Sequence, residues 1–150
     1  GEMVNKLNDI VWLINPGQDN LQQLMQRLEE YAVQMSAAKN IRVKSIISDN
    51  LGGINLQAEN RRNIYLLFKE AINNAVKYSQ ASLLELNVKQ VNGLVEISLN
   101  DNGIGFNIEN VKSGNGLKNM KHRAKEAGVS LSIESEKGRG TRILVSIKIP

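Results

Sequence analysis

Residues 58–79 read AENRRNIYLLFKEAINNAVKYS, which is the longest helical pattern in the chain. At roughly 100° per residue, the apolar side chains of this segment fall on one face. That face comprises Ile64, Leu67, Phe68, Ala71, Ile72 and Ala75. A polar stripe runs beside it at spacings i, i+3, i+4 and i+7, and it comprises Glu70, Asn73, Asn74 and Lys77. The sequence therefore predicts a helix that packs on a core and carries four polar side chains able to act together.

The polar stripe admits two interpretations. An ordinary solvated helix face is the usual one for a lone stripe of Glu, Asn and Lys. Adjacent asparagines in mid-helix are poor helix formers, however, so something other than helicity favours Asn73 and Asn74. The amide of Asn74 and the carboxylate of Glu70 lie one turn apart and suit a hard cation such as Mg²⁺, which takes one or two protein oxygens together with phosphate.

Alternating apolar residues predict the strands. The first strand covers residues 41–48, and later segments alternate cleanly at Leu84, Leu86 and Val88, at Val95, Ile97 and Leu99, and at Leu131 and Ile133 leading to Ile143, Val145, Ile147 and Ile149. Tight turns at residues 91–93 and 136–140 predict antiparallel hairpins with helices over a single face. Further helices are predicted over residues 3–14, over residues 20–40, and after Gly116 with Gly128 as the cap. The predicted fold class is α+β, a two-layer α/β sandwich with a mostly antiparallel mixed sheet.

Composition limits the classes of protein to consider. The 150 residues, 41% hydrophobic and 23% charged, fit one globular domain with a core. The sequence has no cysteine, which excludes disulfides and thiolate metal sites and suits a reducing cytosol. No apolar run reaches the ~20 residues that cross a bilayer, so we expect a cytoplasmic location. Few aromatic residues and no basic run, despite a net charge of +4, argue against nucleic acid as a partner.

Asp101 is the second candidate site residue. It continues the buried face of the strand that holds Ile97 and Leu99. A buried carboxylate needs a hydrogen-bond donor, which either a backbone turn or a ligand amine could supply. Taken alone, Asp-Asn-Gly more often forms a turn. Gly103 and Gly105 follow at once, and they would let the backbone approach a flat ligand.

The glycine-rich segment Ser113-Gly114-Asn115-Gly116 opens the next predicted helix. Free amides at a helix N-terminus bind anions, and Lys77, Lys112 and Lys118 would add positive charge. Alone, Gly-x-Gly also serves as a hinge or a cap. No Gly-Lys-Ser/Thr follows, no third glycine is suitably placed and no strand directly precedes, so the segment is neither a Walker A loop nor a Rossmann motif.

The fourth polar segment is Gly138-Arg-Gly-Thr141, and its threonine falls on the buried face of the last strand. The ordinary interpretation of such a residue is a core threonine whose hydroxyl is hydrogen-bonded within the protein. With all four segments in this order, the chain resembles the Bergerat-type ATPase domain shared by histidine kinases, gyrase, the Hsp90 chaperones and the mismatch-repair ATPases. Residues 70–78 resemble the N box, residues 101–106 the first glycine box, residues 114–120 the second, and residues 138–141 the closing motif.

The resemblance implies a role for each candidate site residue. Asn74 would bind Mg²⁺ with Glu70 assisting, and Lys77 would contact phosphate, so these three would be the catalytic residues. Asp101 would accept a hydrogen bond from the adenine amine, and Thr141 would support that contact. A mobile glycine-rich lid and the start of the following helix would complete the ATP site through Gly103, Gly105, Gly114, Gly116 and Leu117.

The N-terminal segment resembles one branch of that superfamily. Residues 7–16, with Trp12 and Pro16, resemble the end of the dimerisation helix in the histidine-kinase subfamily that includes nitrate sensors and DesK. The resemblance implies that residues 1–16 are the end of that helix and a linker, and that residues 17–150 are the catalytic ATP-binding domain. It implies that the ATP γ-phosphoryl group is transferred to a histidine on the dimerisation domain and relayed to a response regulator. It also implies that the full-length protein is a homodimer, and an inner-membrane sensor is one possibility for that protein.

The only histidine, His122, is expected to be a surface residue in the helix after the second glycine box, so the chain is not expected to phosphorylate itself. Three alternatives remain open: an anti-sigma-factor serine kinase, an ATP-hydrolysing machine such as gyrase, and a binding module that has lost nucleotide. The segment from Trp12 to Pro16 argues against the first. The lack of a transducer domain argues against the second, and the retained nucleotide-contacting residues argue against the third.

Overall fold

The computed structural model describes residues 20–48, 51–107 and 115–149. The elements in these ranges are α1 (Leu21–Ala37), β1 (Arg42–Ile47), α2 (Ala58–Tyr78), β2 (Leu83–Val91), β3 (Leu94–Asp101), α3 (Asn115–Ala127), β4 (Ser130–Glu136) and β5 (Gly140–Lys148). A short 3₁₀ turn, Leu51–Gly53, precedes α2. The predicted helix over residues 3–14 and the proposed boundary after residue 16 lie outside the described residues.

The strands form one five-stranded sheet in the order β1-β2-β3-β5-β4. β1 runs parallel to β2, and the other three pairings are antiparallel. β2 and β3 are joined by Asn92 and Gly93, whose φ angles of 49° and 79° match the hairpin turn that follows the twist of a sheet. The predicted hairpins and the mostly antiparallel mixed sheet are therefore confirmed.

The three helices cover one face of this sheet. Alternate residues of β2, β3 and β5 point toward them and are buried, namely Leu84, Leu86, Val88, Val95, Ile97, Leu99, Ile143, Val145 and Ile147. α2 contacts α1, α3 and β3, and it buries the apolar face that its periodicity predicts. The two-layer sandwich is confirmed, and α2 lies where a ligand between the helices and the sheet would meet its polar stripe.

Local sequence sets the limits of α1. Asn20 caps the helix, because its side-chain oxygen accepts a hydrogen bond from the backbone N–H of Gln23 at 2.8 Å. The helix ends at Ala37, short of the predicted limit at Asn40. Asn40 has a φ of 55°, a left-handed conformation that asparagine tolerates and a helix does not. In the ranges that the structure describes, no helix is long and apolar enough to cross a membrane.

Candidate functional site

A cavity of about 640 Å³ opens between α2, α3 and the two central strands β3 and β5. Most of its wall is apolar, which suits a flat ring system, and a few polar side chains interrupt that wall. The polar side chains are those of Glu70, Asn74, Ser79, Asp101 and Thr141. The remaining wall comes from Ala71, Ala75, Tyr78, Leu99, Ile104, Gly105, Phe106, Gly116, Leu117, Met120 and Ile143.

Glu70 and Asn74 meet at the start of α3. A Cβ built on Gly116 would lie 2.7 Å from Asn74 Nδ2 and 2.9 Å from Glu70 Oε1, so any side chain at this position would fill the space between them. The two polar groups therefore converge on the N-terminal turn of α3, and the N-terminus of a helix favours an anion. This corner combines a carboxylate, an amide and a helix N-terminus in one wall of the cavity.

The adjacent asparagines of α2 face different neighbours. Asn74 lines the cavity, whereas Asn73 Oδ1 accepts a hydrogen bond from the hydroxyl of Tyr31 in α1 at 2.6 Å. One asparagine is thus available to a ligand, and the other joins the two helices. The pair of poor helix formers that the sequence singled out serves two separate purposes.

Asp101 ends β3 opposite Thr141 of β5. Its carboxylate accepts hydrogen bonds from the backbone N–H of Gly103 at 2.9 Å and from the backbone of Thr141. Burial raises the pKa of the Asp101 carboxyl above its ordinary value, and the two backbone donors oppose that rise only in part. Another donor supplied by a ligand in the cavity would stabilise the ionised form.

The Asp-Asn-Gly segment is both a turn and part of the cavity wall. Asn102 Oδ1 accepts hydrogen bonds from the backbone N–H groups of Ser82 and Leu83 at 2.9 and 3.0 Å. This contact fixes the segment to the start of β2, while Asp101 beside it faces the cavity. The turn interpretation and the ligand interpretation, which the sequence set against each other, are therefore compatible.

Gly103 and Gly105 pack against protein backbone. A Cβ on Gly103 would lie 2.2 Å from the carbonyl oxygen of Ser79, and one on Gly105 would lie 2.0 Å from the carbonyl oxygen of Glu136. Gly105 also has a φ of 63°, which disfavours any side chain. Both glycines are thus required by contacts with α2 and with the β4–β5 turn, an explanation that the sequence did not offer.

The structure brings most of the predicted site residues together, but not all. Glu70, Asn74, Asp101, Gly105, Gly116, Leu117 and Thr141 line the cavity. Lys77 is exposed on the last turn of α2 and is absent from that wall, as is Gly103. Gly114 lies outside the described residues. The role of Lys77 toward phosphate stays a prediction.

Several residues at the cavity were not among the predicted site residues, and Tyr78, Ile104 and Ser135 are three of them. Tyr78 and Ile104 line the cavity with 69% and 48% of their surfaces exposed. Tyr78 stands four positions after Asn74, so its place on the polar stripe was a usable signal. Ser135 of β4 contacts Thr141, its partner across the strand pair, and Phe106. The local sequence gives no sign of these contacts, because they join separate segments.

His122 does not belong to this site. It lies on the exposed surface of α3, with its Nε2 atom 4.0 Å from Glu126 Oε1. In the part of the chain that the structure covers, no group of three or more His, Cys, Asp or Glu side chains could enclose a metal ion.

Comparison with known proteins agrees with this geometry. Residues 59–150 match the family described as histidine kinase-, DNA gyrase B-, and HSP90-like ATPase. The sensor histidine kinase LiaS of Bacillus subtilis is 33% identical over 87 residues, and the sensor protein VraS of Staphylococcus aureus is 34% identical over 83 residues. These matches cover 57% and 55% of this chain but only 24% of each relative, so the chain matches about a quarter of the length of these curated relatives.

Solved structures share the fold at low sequence identity. The histidine kinase domain of a blue-light activated kinase from Erythrobacter litoralis superposes with a TM-score of 0.70 at 19% identity, over 84% of this chain and 61% of that one. Histidine kinase AdeS of Acinetobacter baumannii gives a TM-score of 0.71 at 14% identity, over 95% of this chain and 76% of that one. The segment that matches the family, residues 59–150, contains all of α2 except its first residue, all of α3 and every strand that lines the cavity. This chain belongs to the family of histidine kinase-, DNA gyrase B- and HSP90-like ATPases.

Proposed function

We propose that this chain is the ATP-binding catalytic domain of a two-component sensor histidine kinase. The observation that carries the proposal is the shared cavity, because Asn74 and Glu70 line the same space as Asp101 and Thr141. The first pair suits a metal-bound phosphate, and the second pair suits the polar edge of a purine. A single nucleotide that spans the cavity would contact both.

The apolar wall and Asp101 fit adenine. Leu99, Met120 and Ile143 offer surface for a flat ring, and Asp101 offers a carboxylate acceptor for an exocyclic amine. The raised pKa of Asp101 supports this assignment, because a buried carboxylate with incomplete compensation gains most from a new donor. Adenine carries such an amine, whereas the corresponding position of guanine is a carbonyl.

The residues at the start of α3 fit Mg²⁺ bound to phosphate. Glu70 and Asn74 supply one carboxylate and one amide around the space that a side chain at Gly116 would fill. Mg²⁺ favours such a sparse set of oxygen ligands, because phosphate oxygens and water complete its octahedron. When bound, the ion would neutralise phosphate charge during phosphoryl transfer. Asn74 and Glu70 would position it, and the amides of α3 would hold the phosphate oxygens.

The acceptor in this proposal is a histidine on the dimerisation domain of the parent protein. LiaS and VraS are named as sensors, and the chain resembles a part of each, which favours a sensor kinase over a serine kinase or a hydrolysing machine. His122 is separated from the cavity wall and lies on a helix surface. The proposed partners are therefore the dimerisation domain, a second copy of the parent, and the receiver domain of a response regulator.

The test begins with calorimetry of Mg²⁺-ATP binding. We expect the chain to bind, and we expect Asn74→Ala to weaken binding at least about tenfold, because it removes a charge-assisted contact. Asn73→Ala is the matched control, since it removes the same side chain one position away, where it faces Tyr31. It should lower stability and leave affinity unchanged.

The second stage of the test measures phosphoryl transfer with radiolabelled ATP. The chain alone should remain unlabelled, and a dimerisation domain from the same parent should acquire acid-labile label when added. Unchanged affinity in Asn74→Ala would remove the metal-site assignment. If a partner protein instead acquired acid-stable phosphoserine, the assignment would change from a histidine kinase to a serine kinase.

A further inference from the structure

Ser135 of β4 stands beside the wall of the cavity, as the cross-strand partner of Thr141. Its Oγ is 2.8 Å from Thr141 Oγ1, and it accepts a hydrogen bond from the backbone N–H of Phe106 at 2.9 Å. It also lies 3.2 Å from the carbonyl oxygen of Gly140. Ser135 does not line the cavity, but Thr141 and Phe106 both do. One hydroxyl therefore joins two separate parts of the wall.

The three contacts limit the proton arrangement. A serine hydroxyl has one proton and two lone pairs, and the N–H of Phe106 occupies one lone pair. If Ser135 donates to Thr141, the hydroxyl of Thr141 keeps its own proton for the cavity. If Ser135 donates to Gly140, Thr141 must donate to Ser135, and it then presents only lone pairs to a ligand. The state of Ser135 thus sets whether Thr141 acts as donor or acceptor.

The shorter contact favours the first arrangement. The distance to Thr141 is 2.8 Å, and the distance to Gly140 is 3.2 Å. In this arrangement the N–H of Phe106 donates to Ser135, Ser135 donates to Thr141, and Thr141 can donate into the cavity. Successive hydrogen bonds in such a chain strengthen one another. Beside this donor stands the acceptor Asp101, the strand partner of Thr141. An acceptor beside a donor matches the amine and ring nitrogen of a 6-aminopurine, whereas a 6-oxopurine presents the opposite order.

We infer that Ser135 is a positioning residue for base recognition, which polarises Thr141 as a donor and so selects 6-aminopurine over 6-oxopurine nucleotides. The inference rests on the proposed nucleotide site. Ser135 acts through Thr141, because Thr141 lines the cavity and Ser135 does not. It also connects base recognition to the backbone at Phe106, in the segment that follows β3.

The experiment measures the dissociation constants of ADP and inosine diphosphate by calorimetry, with Mg²⁺ present. We expect wild type to prefer ADP, and Ser135→Ala to reduce that preference about five- to tenfold, the effect of losing one hydrogen-bond orientation. Thr141→Val, which keeps the shape and removes the hydroxyl, should reduce it at least as much. In the Thr141→Val background, adding Ser135→Ala should change nothing, because the two residues act in series.

Matched variants separate positioning from folding. Ser132→Ala alters an exposed serine on the same strand and should leave the preference intact, and Ser135→Thr should restore the preference because it restores a hydroxyl. If Ser135→Ala does not fold, Ser135→Cys, with its weaker donor, should show a smaller loss in the same direction.

An unchanged ratio in Ser135→Ala, or additive losses in the double variant, would overturn the inference while the nucleotide site stands. If wild type bound neither nucleotide, the proposed function and this inference would fall together.

Discussion

At Asp101, two backbone donors meet a carboxylate that burial has made harder to ionise. The folded chain therefore binds a proton at this residue more tightly than the unfolded chain does. The protonated Asp101 therefore contributes stability that is fully present below the ordinary pKa of aspartate, the value in the unfolded chain. This contribution is lost as pH rises through the raised pKa of Asp101 in the folded chain. Without a ligand, the ionised Asp101 therefore lowers the stability of the fold at neutral pH. Such a cost is expected for a side chain whose role is to bind a ligand.

Asp101→Asn should separate stability from binding. The amide oxygen of asparagine still accepts from Gly103 but carries no charge, so we expect equal or greater stability than wild type at neutral pH. The advantage of D101N should shrink as pH falls through the raised pKa, which urea denaturation at several pH values would measure. ADP affinity should fall about tenfold or more, together with the preference over guanine nucleotides. A variant that is less stable than wild type at neutral pH and equally selective would contradict both the charge argument and the assigned role.

Helices and strands were largely predictable, because their periodicities extend over many residues. The buried face of α2 and the alternation of β2, β3 and β5 match the sequence patterns. The sequence assigned the metal to Asn74, but it could not show that Asn73 faces Tyr31, because that contact joins two helices that lie far apart in sequence. Nor could it reveal that Gly103 and Gly105 pack on Ser79 and Glu136, because those contacts join distant segments.

The link between α1 and α2 gives a prediction at the level of elements. Tyr31→Phe removes the hydrogen bond to Asn73 and keeps the ring, over which Lys69 Nζ lies at 4.9 Å from the centroid. We expect a loss of about 1 kcal/mol in the free energy of unfolding, measured with urea. Asn73→Ala should lower the free energy of unfolding by less in the Tyr31→Phe background than in wild type, because both substitutions remove the same hydrogen bond. Nucleotide affinity should stay constant, and strictly additive losses would show that the contact does not form.

At the scale of the whole molecule, the site joins separate parts of the chain. The cavity wall is made by α2, α3, β3, β5 and the segment after β3, which lie far apart in sequence and meet only in the folded state. A ligand that contacts all of them binds the folded chain and has no comparable site on the unfolded chain. Binding must therefore appear as stability.

Mg²⁺-ADP should raise the free energy of unfolding by about 2.7 kcal/mol at a ligand concentration of 100 times the dissociation constant. Chelating the metal with EDTA should remove most of this increase, because the phosphate corner then lacks the cation that Glu70 and Asn74 are proposed to hold. Denaturation curves at a series of ADP concentrations give the measurement, and Asn74→Ala should need correspondingly more ADP for the same increase. A midpoint independent of ADP in the wild type would argue that the cavity takes another ligand.

The strand order has a consequence for how the molecule opens. The strand residues in the cavity wall, Leu99, Asp101, Thr141 and Ile143, all belong to β3 and β5, each of which has a paired neighbour on both sides. The two edges of the sheet, β1 and β4, contribute no residue to that wall. Edges fray first, and amides there exchange with solvent through small local openings, whereas central strands exchange only through much larger ones. We therefore expect slower amide exchange in the strand residues of the cavity wall than at the sheet edges, and Ser135 on β4 links the wall to one of those edges.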